Sequence, residues 1–382
     1  MTHKFFIYSI LAWFIILIGF SFTIFPYHDS FYYWTWSQKL QLSYYDGPPL
    51  IAYVLKLFTL IFGSSIFAIN FVGVVFAYLA SYYLYKLCYV ISANSNTARL
   101  ATVFYLVYPF VTTRFIYMNM TYDCLENLFY LMIVYYVVIF IKTRKNNYWL
   151  IIGSLSGLCL LSKYSAVVLF LGLLVFFFFY GRCYKIFKTW QLYVGILLSI
   201  LLFTPVLYWN YLNHWESFLY QLNSHKWIGE PGSINSRLKY GLPGVWFFIA
   251  NCVLATFHIL IVVLLFGKFK LKFNYITNNY EKLLVIVILV FYAFWLYNSY
   301  SSHVSLNYVL PVSFIPIYFV SKLLIKYNLV KFQLFLLCSC CLISVLMMAG
   351  HSRLANANFD DYAKFVETNL ISQPLHIWNI TK

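Results

Sequence analysis

Acidic residues are rare in this chain, and their positions mark where chemistry could take place. Only 10 of the 382 residues are Asp or Glu, against 26 Lys or Arg. Asp29 lies within an aromatic segment at 25–37, Asp46 lies just before a Pro-Pro pair, and Asp123 precedes a long apolar run. A carboxylate held at the edge of the hydrocarbon is costly to keep ionised, so such residues are candidates for proton transfer or substrate binding.

Two basic residues accompany these acids. Arg114 lies shortly before Asp123, whereas Lys163 lies between two apolar segments with no acid near it in the sequence. If they are functional, both cations are candidates for contact with a phosphate group. Structural alternatives remain open, because a single lysine often extends to lipid headgroups and Asp123 suits a helix N-terminus.

A third polar segment, 210–244, combines rings with cations, as a sugar-phosphate headgroup requires. Its members are His214, Trp215, Glu216, His225, Lys226, Trp227, Arg237 and Lys239. The spacing of its two histidines and glutamate matches no tight zinc pattern, so we predict no metal site there. A divalent cation beside Asp29 is a less favoured alternative, and no cofactor is predicted.

The composition determines the kind of protein that must position these residues. The chain is 63% hydrophobic and 9% charged, which excludes a soluble globule and a disordered chain. We therefore predict an all-α polytopic membrane protein. Apolar runs of helical length predict eleven transmembrane helices, at 5–25, 66–91, 98–116, 123–141, 148–161, 164–180, 190–209, 245–266, 282–299, 304–321 and 331–350.

The charge distribution predicts the orientation of these helices. A cytoplasmic N-terminus places 16 of the 26 Lys and Arg on the cytoplasmic side, where Glu281 is the only acid. The other acids then face outward, so the candidate site lies on the outer side. Four of them, Glu230, Asp360, Asp361 and Glu367, are interpreted as solvated loop residues. The net charge of +16 predicts contact with membrane lipids and no nucleic-acid partner.

The first outer loop, 26–65, is predicted to contain two helices lying along the membrane surface. Its aromatic residues are typical of an interfacial belt, Pro48-Pro49 is predicted to end the first helix, and 50–62 is too short to span. We thus divide the chain into a transmembrane domain, 1–350, and a short outer tail, 351–382. The transmembrane domain includes the catalytic loop 26–65 and the outer loop 210–244, and the tail is predicted to form one amphipathic helix.

Several blocks resemble, in consistent order, the bacterial branch of glycosyltransferase family 39. DSFYYWTWS at 29–37 resembles D-E-A-Y-Y-W-x-W-S, and YYDGPPLIA at 44–52 resembles Y-Y-D-H-P-P-L-I-A. TYD at 121–123 resembles T-P-D, and LSKYSA at 161–166 resembles L-S-K-Y-T-A. PVLYWN at 205–210 with HWESF at 214–218, and VSLNYVLP at 304–311, complete a resemblance that covers about 26–311.

The resemblance implies a GT-C fold, like that of protein O-mannosyltransferases and the lipid A aminoarabinose transferase. It implies sugar transfer from a polyprenyl-phosphate donor to a glycan, lipid or protein acceptor at the periplasmic face of a bacterial inner membrane. Asp29 and Asp123 are then the catalytic candidates. The donor-phosphate and substrate-binding candidates are Lys163, Arg114, Tyr45, Asp46, Trp215, His303 and Arg237.

Two positions depart from the family pattern, and two other functions stay open. Ser30 stands where the family has a second acid, and Gly47 replaces its histidine. A flippase or transporter of lipid-linked sugars is one alternative, although transporters favour ionisable residues near the midplane and inverted repeats. An inactive scaffold of the same fold is the other alternative, suggested by Ser30.

Overall fold

The computed structural model describes most of the chain and confirms the all-α prediction. The residues it describes are 2–24, 26, 28–117, 122–180, 186–224, 242–250, 252, 276, 278–300, 304 and 306–352. Within these ranges the secondary structure is helical, apart from one antiparallel bridge between Tyr44 and Gly47.

Fourteen of the helices within this described part are labelled in chain order. They are α1 (His3–Ser21), α2 (His28–Gln38), α3 (Leu50–Phe62), α4 (Ile66–Ser92), α5 (Ser95–Val107), α6 (Pro109–Thr112), α7 (Tyr122–Thr143), α8 (Tyr148–Ser162), α9 (Val167–Tyr180), α10 (Trp190–Leu212), α11 (Glu216–Ser224), α12 (Asn279–Ser299), α13 (Phe314–Lys326) and α14 (Val330–Ser352). A π-helical turn, Thr113–Tyr117, follows α6, and 3₁₀ turns at Tyr164–Ala166 and Leu306–Val312 precede α9 and α13.

Six of the described helices, α1, α4, α7, α10, α12 and α14, are long and apolar enough to cross a membrane. They coincide within a few residues with the predicted spans at 5–25, 66–91, 123–141, 190–209, 282–299 and 331–350. The predicted spans at 148–161 and 164–180 correspond to the shorter apolar helices α8 and α9.

The prediction of one continuous helix at 98–116 was wrong. Here α5 ends at Val107, because Tyr108 is extended and Pro109 begins the separate helix α6. The prediction at 304–321 was also wrong in part, since Leu306–Val312 is a 3₁₀ turn with Pro311 inside it. Proline lacks the amide hydrogen that a continuous α-helix uses, which explains both breaks. Most of the predicted span 245–266, residues 225–241 and the tail from 353 lie outside the described residues.

The two helices predicted in the first outer loop are α2 and α3. The role given to Pro48-Pro49 was wrong, however, because α2 already ends at Gln38. A turn closed by the Tyr44–Gly47 bridge follows, with the Tyr44 ring stacked on Trp36 at 4.1 Å between centroids. Pro49 is the N-cap residue of α3.

Polar side chains define where helices begin and how they pack. Ser65 accepts a hydrogen bond from the amide of Ala68 at the start of α4, as N-cap serines do. Asn70, buried in α4, donates from Nδ2 to the carbonyl oxygens of Ser21 and Ile24, at 3.0 and 2.7 Å. These bonds satisfy carbonyls that the end of α1 would leave unpaired within the apolar core.

Small residues allow the helices to approach closely at two positions. A Cβ atom added at Gly73 of α4 would overlap the carbonyl oxygen of Phe115 in the π-helical turn. Gly153 of α8 and Gly195 of α10 are likewise in backbone contact, so a side chain at either position would overlap the opposite helix. Close packing at small residues is a common way to join helices in a membrane.

Candidate active site

A buried ion pair joins the start of α7 to the residue that follows α8. Asp123 lies in the first turn of α7, and its Oδ1 atom pairs with Nζ of Lys163. The Nδ2 atom of Asn307 donates to the other carboxylate oxygen at 3.1 Å. Three segments that are far apart in the sequence therefore meet at one carboxylate.

Glu126 adds a second acid to this group. It lies one helical turn after Asp123, with its Oε2 atom 4.0 Å from Nζ of Lys163. The hydroxyl of Ser165 donates to Oε1 of Glu126 at 2.7 Å. We call Asp123, Glu126, Lys163 and Asn307 the Lys163 cluster. Its carboxylates are almost completely buried, and among the described residues Lys163 is the cation that lies within 4.0 Å of both.

Aromatic rings surround the lysine of this cluster. Its Nζ atom lies 4.2 Å from the ring centroid of Tyr308 and 4.9 Å from that of Tyr122. The Tyr308 ring is stacked on Trp295 of α12, with centroids 4.5 Å apart. A cation held between π faces retains favourable electrostatic contact when water is excluded.

A cavity of about 350 Å³ lies beside the Lys163 cluster. It is lined by two charged residues, by aromatic rings and by a few polar and aliphatic groups. These residues are Asp46, Pro48, Tyr122, Lys163, Tyr164, Ser165, Val167, Gln221, Leu222, Phe294, Trp295, Tyr297, Asn298 and Tyr308. Apolar and aromatic walls with a few convergent polar groups are typical of a small-molecule site.

Asp46 presents a carboxylate to this cavity. Its Oδ1 atom is buried and has no hydrogen-bond partner among the described residues. The side-chain amide of Gln221 donates to the backbone carbonyl of Asp46 and so holds this segment against α11. Burial raises the pKa of Asp46 to about 7. The negative charge of Asp29 adds to this increase, and a hydrogen bond from Tyr32 opposes it.

Asp29 lies close to this carboxylate but is not part of the cavity wall. It occupies the first turn of α2 and is half-buried. Its charge acts on both Asp46 and Tyr33, and the Tyr33 ring packs against Tyr122 at 5.2 Å between centroids. The structure thus groups Asp29, Asp46 and the Lys163 cluster at one end of the helix bundle.

Of the remaining sequence candidates, the three that the structure describes, Arg114, Tyr45 and Trp215, do not line the cavity. Arg114 lies in the π-helical turn, with its guanidinium carbon 5.6 Å from the Phe110 ring centroid. The Tyr45 ring contacts Tyr220, and Trp215 is exposed in the turn before α11. His303 and Arg237 lie outside the described residues.

Several residues of the site were missed by the sequence analysis. The spacing of Glu126 three residues after Asp123 is a signal that both acids share a helix face. Asn307 and Tyr308 lie in the block at 304–311, although their contacts with the cluster could not be inferred from it. Gln221 and Trp295 had no distinguishing sequence signal, because they reach the cavity through tertiary packing.

Comparison with known proteins finds one family model and one curated relative that match parts of the chain. Residues 46–209 match the family model described as dolichyl-phosphate-mannose-protein mannosyltransferase. A stretch of 53 residues is 42% identical to the lipid A galacturonosyltransferase RgtD of Rhizobium johnstonii, covering 14% of this chain and 11% of that protein.

Two solved structures share the fold. ArnT from Cupriavidus metallidurans, bound to undecaprenyl phosphate, matches with a TM-score of 0.64 and 12% identity over 85% of this chain and 60% of that chain. The archaeal oligosaccharyltransferase AglB from Archaeoglobus fulgidus, in complex with an inhibitory peptide and a dolichol-phosphate, matches with a TM-score of 0.52 and 14% identity. That match covers 96% of this chain and 58% of the AglB chain.

The chain therefore matches no more than 60% of the length of these relatives. At such low identities the structural likeness establishes the fold, which is the one that the sequence resemblance implied. Together with the long apolar helices, it identifies the chain as a multi-pass membrane protein with the GT-C glycosyltransferase fold.

Proposed function

We propose that this chain is a membrane glycosyltransferase that moves a sugar from a polyprenyl-phosphate donor to a cell-envelope acceptor. The observation that carries the proposal is the cavity, where a lysine, a carboxylate with an unpartnered oxygen and stacked aromatic rings converge. The similar structures of ArnT and AglB were solved with undecaprenyl phosphate and a dolichol-phosphate, respectively, which supports a lipid-linked donor. The acceptor class is lipid A, lipopolysaccharide, another surface glycan or a protein.

The orientation follows from the charges. With the N-terminus in the cytoplasm of a bacterium, the basic loops face inward and the cavity faces the periplasm. Nucleotide sugars are confined to the cytoplasm, whereas a donor anchored in the bilayer can reach an outward site at the membrane boundary. The position of the cavity thus favours a polyprenyl-phosphate sugar over a nucleotide sugar.

Lys163 is the residue best placed to bind the donor phosphate. It lines the cavity, and its ammonium group has three donors, of which Asp123 occupies one. Negative charge develops on the phosphate as the bond to the sugar breaks, and a buried cation stabilises it more strongly than water would. Arg114 is a second candidate for the same phosphate, reached from the π-helical turn.

Two carboxylates can act on the acceptor. The acceptor oxygen forms a bond to the anomeric carbon while the bond from that carbon to the phosphate oxygen breaks. Asp29 takes the proton that the acceptor hydroxyl loses, and a single displacement inverts the configuration. The unpartnered Oδ1 atom of Asp46 can accept a hydrogen bond from the same hydroxyl and orient it. Ser30 stands where the family pattern has a second acid. Asp46, which follows α2, supplies a second carboxylate near Asp29 instead.

If the acceptor is itself a phosphate, as on lipid A, it needs no base. Asp29 then acts by positioning, and Asp123 keeps Lys163 oriented toward the donor. The two classes of acceptor therefore give different dependence on Asp29 but the same dependence on Lys163.

The test compares envelope lipids and glycans, by mass spectrometry, in cells with the wild-type chain, with Asp29→Asn and with no chain. Loss of the same sugar-sized mass in the mutant and the deletion supports a transferase and identifies its acceptor. A mass lost only in the deletion contradicts the role of Asp29 as base, and leaves transfer to a phosphate acceptor, a flippase or a scaffold as the function. Asp360→Asn, in the tail predicted to have no catalytic role, is the matched control and should retain the product.

A further inference from the structure

A second apolar space lies between α8, α9 and α10, away from the candidate active site. This groove has a volume of about 370 Å³. Its walls are almost entirely aliphatic and aromatic, and include Ile152, Leu173, Phe177, Leu192 and Ile196. Gly153 and Gly195, at which α8 and α10 are in backbone contact, form part of its wall.

A polar cavity adjoins one end of this groove. It has a volume of about 460 Å³ and is lined by Lys145, Asn146, Asn147, Tyr148, Ile151 and Gln191. Neighbouring residues on α8 and on α10 line the two spaces. On α8, Ile151 lines the polar cavity and Ile152 lines the groove. On α10, Gln191 lines the polar cavity and Leu192 lines the groove. A molecule with a polar head and an apolar chain could therefore occupy both.

The sequence near the polar cavity is basic. No Asp or Glu occurs between Glu126 and Glu216, whereas Lys142, Arg144 and Lys145 lead into α8 and Lys188 precedes α10. Glu126 belongs to the Lys163 cluster at the other end of α7. An anionic headgroup is thus favoured at this cavity over a zwitterionic one.

We propose that the polar cavity and the groove together bind one anionic glycerophospholipid, with its phosphate at Lys145 and an acyl chain in the groove. The lysine and the amide groups of Asn146, Asn147 and Gln191 are donors suited to phosphate and glycerol oxygens. The side chain of Asn147 makes no capping bond to α8, so the helix does not fix its orientation. Tyr148 and the buried Trp149 lie in the first turn of α8, and aromatic residues at helix ends are typical of a membrane interface.

This lipid site is separate from the proposed donor site. The 15 residues of α8 extend for roughly 22 Å, with the polar cavity at the first turn and Lys163 directly after the last. The lipid would therefore lie in the opposite half of the bilayer from the sugar donor. It would support the packing of α8 against α10 rather than take part in transfer.

The test is native mass spectrometry of the delipidated protein with phosphatidylglycerol or phosphatidylethanolamine carrying the same acyl chains. We expect phosphatidylglycerol to be retained preferentially. Lys145→Ala should weaken its retention about fivefold and leave phosphatidylethanolamine unchanged. Ser199→Phe, which places a ring in the groove, should weaken both lipids.

Two control variants keep the test specific. Lys331→Ala removes an exposed lysine at the start of α14, and Leu201→Phe adds a ring on an exposed face of α10. Both should bind lipid as the wild type does. Equal retention of the two lipids, or an equal loss in the controls, would overturn the proposal. Binding of undecaprenyl phosphate that is lost in Lys145→Ala would overturn it too, because the site would then serve the donor.

Discussion

The charge balance of the Lys163 cluster gives the most direct test of the site. Lys163→Met removes the only cation that contacts Asp123 and Glu126 among the described residues. At the 4.0 Å separation of Lys163 and Glu126, the attraction is about 4 kcal/mol with an effective dielectric constant near 20. Breaking a buried pair by removing one partner costs about 3–5 kcal/mol. We expect Lys163→Met to destabilise the protein by that amount, which lowers its thermal unfolding midpoint.

A matched variant separates charge balance from chemistry. The triple variant Lys163→Met, Asp123→Asn and Glu126→Gln contains no buried charge in the cluster, so the unpaired carboxylates that make Lys163→Met costly are absent. We therefore expect it to recover most of the stability lost in Lys163→Met. If Lys163 also binds the donor phosphate, the triple variant should remain inactive in transfer from an undecaprenyl-phosphate sugar.

Two properties are measured on separate aliquots of the same protein purified in detergent. One is the thermal unfolding midpoint, and the other is the rate of product formation. A Lys163→Met variant as stable as the wild type would refute the reasoning about the buried pair. A triple variant that regains transfer would show that Lys163 only balances the two acids. In that case Arg114 becomes the candidate for the phosphate.

Three further predictions concern the pH profile and the glycines. Because burial raises the pKa of Asp46 to about 7, its ionised form is lost as the pH falls through that value. If transfer requires the ionised form of Asp46, its rate should fall about tenfold per pH unit below 7. This dependence on pH should be absent in Asp46→Asn. Gly73→Ala should cost about 1–3 kcal/mol, because the new Cβ overlaps the Phe115 carbonyl, whereas the control Gly19→Ala meets no atom within 4 Å and should unfold like the wild type. Gly47→Ala should retain activity, since its Cβ would lie 3.7 Å from the nearest atom, and a fivefold loss of product would contradict that expectation.

The long helices were predictable because their physical signal is local. Each apolar run of about 20 residues satisfies its own backbone hydrogen bonds, so hydropathy alone locates α4, α7 or α10 within a few residues. The breaks at 108–117 and 306–312 were not predicted. Apolar composition hides them, and their irregular backbone is stable only because neighbouring helices pack against it.

The site was predictable by residue type but not by pairing. Asp29, Asp46, Asp123 and Lys163 were each chosen as rare charged groups in an apolar chain. The contact between Asp123 and Lys163 spans 40 residues, and the bond from Gln221 to Asp46 spans 175. Such contacts are set by how the helices pack, which no local pattern encodes.

The order of the Lys163 cluster along the chain also affects how the protein is made. As the chain is synthesised, α7 reaches the membrane with Asp123 and Glu126 before Lys163 has left the ribosome, since the pair is 40 residues apart. An Asp near the centre of an inserting helix costs about 3 kcal/mol, and less toward its end. The contact with Lys163 offsets this cost once α7 and α8 lie side by side in the bilayer, so the ion pair links the two helices as a hairpin.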